Sequence, residues 1–335
     1  MSELNKIALK ILSDGKGILA ADESTATMTK RLDAVKVQSN EQNRLLFRKT
    51  LFTSESMKSC IGGVILYDET IKQKSETKSI PEIIINNGAI PGIKVDTGAK
   101  PLAGSTEEKI TEGLDGLRER LKVYYKLGAR FTKWRAVINI NKSYPSELAI
   151  NANSHALARY ASLVQEAKMV PIIEPEVLMN GEHDINKCYE VTSMVLKECY
   201  KELKFHNVEL KGTILKPNMV LPGDKCSKQS TTEEIAKMTV KCLKENVPAE
   251  VPGIAFLSGG QSEIEATEHL NLINKNNNTK FIMTYSYGRA LQQGALKVWS
   301  KNNKNIEKTQ NTFNHRAKMC TLAAQGKWSL ELENK

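Results

Sequence analysis

The sequence predicts an α/β chain folded as a (β/α)8 TIM barrel. Three features carry that expectation: eight short apolar runs, helical patterns between them, and a charged or polar residue closing most of the runs. The runs are continuously apolar rather than alternating, which is what parallel strands covered on both faces require. Eight such runs in 335 residues match this barrel in size and count. A doubly wound open sheet is the structural alternative, but no G-x-G-x-x-G follows the first run. No composition shift marks a boundary, so residues 1–335 are expected to form a single barrel domain with a short C-terminal tail.

The elements follow in order. An amphipathic helix carrying Ile7, Leu9, Ile11 and Leu12 precedes a first strand at 17–21, which ends on Asp22-Glu23-Ser24. Strands two and three are expected at 61–67 and at 90–96, the latter interrupted by Lys94. The fourth, 131–138, contains Lys133-Trp134-Arg135, and the fifth, 169–176, ends on Glu174-Pro175-Glu176. The sixth, 212–220, delivers Lys216 directly before Pro217; the seventh, 253–260, closes on Ser258-Gly259-Gly260; the eighth, 281–289, closes on Ser286, Gly288 and Arg289. Between them, Leu114, Leu117, Leu121 and Tyr124 recur at helical spacing with Gly128 as the stop. Leu157, Tyr160, Val164 and Ala167 repeat the pattern, and Thr231 or Thr232 caps a helix running to Leu243. Lys72 to Lys78 and Asn274 to Asn278 are minor polar stretches.

Composition narrows the class. Hydrophobic residues at 40% and charged residues at 26% are ordinary for a globular protein with a substantial core. The formal charge of +10 is spread over Lys-rich faces with few aromatics, which favours a solvated basic surface over nucleic-acid binding and suits attraction of anionic metabolites. Six scattered cysteines with no C-x-x-C pair read as reduced thiols. The five histidines stand apart without ligand spacing, so no metal is expected, and His183-Asp184 is taken as a turn. The N-terminus lacks the apolar core of a signal peptide and no run approaches a membrane span, so a cytoplasmic location is expected, without membrane contact.

Function is argued from the strand ends, because barrels of this type carry their catalytic groups there. A lysine in an apolar run loses hydration in its charged form. Burial or neighbouring cations shift such an amine toward the neutral form that attacks a carbonyl. Taken alone, Lys216 is more simply a strand-end lysine snorkelling to solvent. Asp22, Lys94, Lys133, Arg135, Glu174, Glu176, Ser258 and Arg289 at the other strand ends reverse that reading. Glu174 and Glu176, at i and i+2, face one side of an extended strand, as do Lys133 and Arg135. Held close, the two carboxylates are suited to acid and base roles; salt bridges across strands four and five suit the same residues equally well. Ser258-Gly259-Gly260 offers backbone N–H groups to an oxyanion. Alone the glycine pair is as well read as a turn; with Ser286, Gly288 and Arg289 it reads as a phosphate site of the kind common after strands seven and eight. Lys30, Arg31 and Arg44 leave room for a second anionic group. A lysine nucleophile between phosphate sites points to a phosphorylated carbonyl substrate and a Schiff base, with the iminium as electron sink and no cofactor.

These motifs, with Gly17-Ile18-Leu19-Ala20-Ala21-Asp22-Glu23-Ser24-Thr25 and Leu215-Lys216-Pro217-Asn218-Met219, resemble class I fructose-bisphosphate aldolase in order and spacing from about residue 16 to 327. The resemblance implies a (β/α)8 barrel, usually a homotetramer. It also implies reversible cleavage of fructose 1,6-bisphosphate to dihydroxyacetone phosphate and glyceraldehyde 3-phosphate in glycolysis and gluconeogenesis. By motif, Lys216 resembles the Schiff-base lysine, Glu174 the residue handling protons in carbinolamine formation and dehydration, Asp22 the carboxylate near the C4 hydroxyl, and Glu176 its companion. Lys133 resembles a substrate-binding lysine. Ser258, Gly259, Gly260, Ser286, Gly288 and Arg289 resemble the C1-phosphate site, Arg31 and Arg44 further phosphate-binding cations, and Lys94 and Arg135 supporting members. Two departures stand out: the sequence has no terminal tyrosine like that of many animal members, and Ala26-Thr27-Met28 follows Ser-Thr where glycine is usual. The alternatives are a Schiff-base aldolase for another phosphorylated ketose and a polymer-binding scaffold using the basic surface.

Overall fold

The computed structural model describes residues 1–334. Eight parallel strands close into a barrel: β1 (Gly17–Ala21), β2 (Ile61–Leu66), β3 (Ile90–Lys94), β4 (Phe131–Ile138), β5 (Val170–Val177), β6 (Ile214–Leu215), β7 (Gly253–Phe256) and β8 (Ile282–Tyr287). Each pairs with its neighbours in sequence, and β8 returns to β1 through Leu19 opposite Tyr287. The expected strands are all present, though β6 is much shorter than its apolar run. On the β5 side its ladder ends with the Lys216 N–H donating to the Ile173 carbonyl at 2.8 Å, because Pro217 has no N–H to donate. On the other side the Pro217 carbonyl still accepts from the Leu257 N–H at 3.1 Å.

Helices wrap the barrel: α1 (Glu3–Leu12), α2 (Thr25–Ala34), α3 (Glu41–Phe52), α4 (Ser56–Cys60), α5 (Asp68–Lys72), α6 (Ile80–Asn86), α7 (Leu117–Lys126), α8 (Glu147–Glu166), α9 (Ile185–Phe205), α10 (Thr232–Asn246), α11 (Glu263–Lys275), α12 (Arg289–Lys301) and α13 (Ile306–Ala324). Local chemistry sets their starts. Thr231 accepts from the Glu234 N–H at the start of α10, and Ser262 with Glu265 forms a capping box on α11. Asp184 caps α9, so His183-Asp184 marks a helix start rather than an isolated turn. The polar stretch around Lys72 to Lys78 is an α5 end followed by a small antiparallel ladder, with Lys74 opposite Ser79.

One end of the barrel is plugged. Ala8, Ile11 and Leu12 of α1 pack with Ile18, Ile65, Phe131, Val170, Ile172 and Ile214 in a core of their own. The plug is tight enough to dictate glycine. A Cβ on Gly62 would lie 1.8 Å from the Ile11 carbonyl oxygen, and one on Gly92 would lie 2.4 Å from the Phe131 ring. With that end filled, the barrel interior opens at the C-terminal strand ends. Among the described residues the six cysteines form no disulfide. The histidines are less separate than their spacing suggests: His155 and His206 meet across the α8–α9 seam with ring centroids 4.9 Å apart.

Candidate active site

Register decides which charges meet at the open end. Arg135 on β4 lies opposite Glu174 on β5, Lys133 opposite Ile172, and Lys94 on β3 opposite Lys133. Leu215 on β6 lies opposite Ile173, which brings Lys216 beside Glu174. A cavity of about 960 Å³ opens above these strands. Every residue the sequence assigned to the site lines it except Lys30, Arg44 and Gly260.

At its floor, Lys216 Nζ is 3.2 Å from Glu174 Oε1, and Lys133 Nζ is 2.7 Å from Asp22 Oδ2 and 3.5 Å from Glu174 Oε2. Lys133, Glu174 and Lys216 are each 3–4% exposed, so these charges are held out of bulk water and interact strongly. Burial alone would raise the Asp22 carboxyl. The ammonium of Lys133, with Lys216 and Lys94 behind it, instead pulls it well below the usual carboxylate range. Burial likewise opposes the Lys133 cation, but Asp22, Glu174 and Asp96 outweigh it and push its pKa up. Arg135 pairs with Glu176, which raises its guanidinium against the effect of burial. Salt bridges and a shared cavity are therefore properties of one arrangement. Glu174 Oε2 accepts no hydrogen bond among the described residues, which leaves one carboxylate oxygen available to a reacting group.

The glycine-bearing loop forms one wall. Gly259 has φ +49° and Gly260 φ +89°, a left-handed pair that turns the chain after β7. Gly259 and Ser258 face the cavity, while Gly260 points toward Met179, whose sulfur would lie 2.9 Å from an added Cβ. Gly260 thus shapes the loop without lining the cavity. Ser286 Oγ is buried without a hydrogen-bond partner among the described residues, and Arg289 opens α12 beside it. Arg31 lines the cavity near Gly288, held by Glu23.

Arg44 departs from expectation. Its Nε and Nη2 lie 2.9 and 2.5 Å from the two oxygens of Glu69, a bidentate fork outside the cavity. The α3 face that carries it packs against α5, so its charge is already committed.

Two further residues, Glu23 and Asp96, line the cavity beside those the sequence assigned. Glu23 contacts Arg31 and Arg48 and accepts from Gln292 at 3.2 Å. Asp96 Oδ1 is 2.5 Å from Lys94 Nζ, and Asp96 Oδ2 accepts from the Arg135 N–H at 3.3 Å. Asp96 stands two residues from Lys94, the same i, i+2 relation that flags Glu174 and Glu176. The unusual Ala26-Thr27-Met28 lies within α2, where Ser24 accepts from the Thr27 N–H.

A family model described as glycolytic fructose-bisphosphate aldolase class-I matches residues 3–335. The chain belongs to the class I fructose-bisphosphate aldolase family. It is 51% identical over 331 residues to a probable fructose-bisphosphate aldolase class 1 of Xanthomonas campestris, covering 98% of this chain and 99% of that one. It is also 51% identical to the cytosolic fructose-bisphosphate aldolase 5 of Arabidopsis thaliana, over 98% and 92% of the two chains. A solved structure of the Plasmodium falciparum aldolase, in complex with TRAP and a small-molecule inhibitor, superposes with a TM-score of 0.96. That protein is 44% identical, and the match covers 98% of this chain and 95% of that one. Membership in this lyase family and the closed barrel agree with the fold and family expected from the motifs.

Proposed function

We propose that this protein cleaves fructose 1,6-bisphosphate reversibly through a Schiff base on Lys216. The observation that carries the reading is the buried Lys216–Glu174 pair at 3.2 Å, under a cavity walled by a glycine loop and several cations. Lys216 gives its ammonium proton to the neighbouring Glu174 carboxylate, the freed amine adds to the C2 ketone, and a second nitrogen proton moves to the new alkoxide to give a carbinolamine. Glu174 returns a proton to the leaving hydroxyl, and water departs to leave the iminium. Glu174 Oε2, which accepts no hydrogen bond among the described residues, then takes the C4 hydroxyl proton, the C3–C4 electron pair flows into the iminium, and glyceraldehyde 3-phosphate leaves. Asp22, held strongly anionic by Lys133, is the weaker base and instead orients that hydroxyl and the Lys133 ammonium. The enamine is protonated at C3 and the iminium hydrolysed, releasing dihydroxyacetone phosphate.

Ser258, Gly259, Ser286, Gly288 and Arg289 suit the C1 phosphate. Arg31 suits the second phosphate by exchanging its contact with Glu23 for the ligand. Lys94, Arg135 and Glu176 brace Lys133 and Glu174, and Gly260 sets the loop. We assign the chain to a single-domain cytoplasmic homotetramer; exposed Phe205, Leu148 and Met194 supply apolar surface for such contacts. No described helix is long and apolar enough to cross a membrane. A coupled assay of fructose 1,6-bisphosphate cleavage, with and without EDTA, tests the reading. Equal cleavage in both is expected; loss with EDTA, or no cleavage at all, overturns it.

A further inference from the structure

We propose that His155, Glu202 and His206 form a binding site for a zinc-like divalent metal on the outer helical layer, separate from the aldolase cavity. Each offers one ligand atom, and the three atoms lie within 4.8 Å of one another. His155 Nδ1 is 3.0 Å and His206 Nδ1 is 3.7 Å from Glu202 Oε2. Tetrahedral zinc, with bonds of about 2.0–2.2 Å, spaces its ligand atoms roughly 3.3–3.6 Å apart, so the cluster needs only small side-chain adjustments to close on an ion.

The backbone is set in advance. Glu202 lies in the last turn of α9 and His206, four residues on, is its C-cap, its N–H donating to the Glu202 carbonyl, which brings the two to one side of the helix end. Across the seam, Asn151 donates to Glu198 at 3.1 Å and Ser162 donates to the His206 carbonyl at 2.9 Å, fixing α8 against α9 on either side of the cluster. Lys201, the nearest cation in sequence, is paired with Glu198 at 3.1 Å. His206 Nδ1 donates to the Glu202 carbonyl at 2.9 Å, and His155 Nδ1 sits on Glu202 Oε2. A metal takes the place of such protons, since its ligands bind deprotonated.

Two imidazoles and one carboxylate favour zinc, cobalt or nickel over calcium or magnesium. His155 is half-exposed, which leaves the fourth position to water. None of the three residues lines the active cavity, so metal occupancy and aldol chemistry are separable. The bound ion would staple the end of α9 to α8.

Equilibrium dialysis of the full-length, metal-stripped protein against Zn2+, paired with thermal unfolding, tests this. One Zn2+ per chain is expected. His155→Ala and Glu202→Gln should each weaken binding roughly 10–100-fold and abolish the zinc-dependent rise in thermal midpoint. Cys226→Ser, which alters a half-buried thiol elsewhere, should bind as the wild type does. Unchanged affinity in His155→Ala and Glu202→Gln, or loss of binding in Cys226→Ser, overturns the proposal, as does no binding to the wild type at about 0.1 mM free Zn2+.

Discussion

Acidification from pH 8 to pH 5 is expected to remove about 2 kcal/mol of stability through one buried histidine. His269, on α11, has its Nδ1 2.6 Å from Gln261 Oε1, and Gln261 in turn donates to the Ser258 carbonyl at 2.8 Å. Burial pushes this imidazole down to about 4, against a smaller opposing pull from Glu265. In the unfolded chain it returns to about 6.5. Between those values the unfolded state binds the proton and the folded state does not, so stability rises with pH. The contribution is fully present above 6.5 and is lost as pH falls through 4. Integrating the proton-binding difference down to pH 5 gives the figure of about 2 kcal/mol. With an unfolding entropy near 2.1 cal/mol/K per residue, this amounts to about 3 °C in thermal midpoint. The assay compares the midpoint drop between pH 8 and pH 5 in the wild type and in His269→Gln, since all other titrating groups are common to both. The variant should fall by about 3 °C less. Equal drops would refute the assignment of a neutral, buried His269.

Other perturbations separate the parts of the site. Gly259→Ala forces a side chain into φ +49°, with its Cβ 2.9 Å from Leu257 Cδ1. The resulting strain of about 1–2 kcal/mol should raise KM for the bisphosphate roughly tenfold with little change in kcat, read from steady-state kinetics. Lys133→Met removes the cation 2.7 Å from Asp22, so the Asp22 carboxyl rises and the acid limb of the kcat–pH profile moves to higher pH. The accompanying fall in kcat should be about 100-fold or more. Phe131→Ala empties the plugged end, so denaturant unfolding should show a loss of about 3–5 kcal/mol while KM stays unchanged.

The barrel was legible because its strands are continuous apolar runs that end in charge, and each such run lies where a strand forms. The exception is instructive: the run around Lys216 reads as a long strand, yet its pairing with β5 stops at Pro217, because a ladder needs donors as well as apolar side chains. The rim was legible wherever a motif kept its charges on one face, as with Glu174 and Glu176. Arg44 shows the limit. Its sequence neighbourhood carries charge but no sign of Glu69, 25 residues on, which claims both arms of its guanidinium. His155 and His206 fail for the same reason: their proximity comes from helix packing across 51 residues, and no local spacing records it.

The central claim is that Lys216 is the amine that joins the substrate. Incubation with dihydroxyacetone phosphate followed by borohydride reduction should attach one triose phosphate per chain, and peptide mapping should place it on Lys216. Lys216→Ala, with its barrel confirmed by an unchanged unfolding transition, should take up none. Labelling that persists in Lys216→Ala, or that maps to Lys133 or Lys94 in the wild type, would contradict the account.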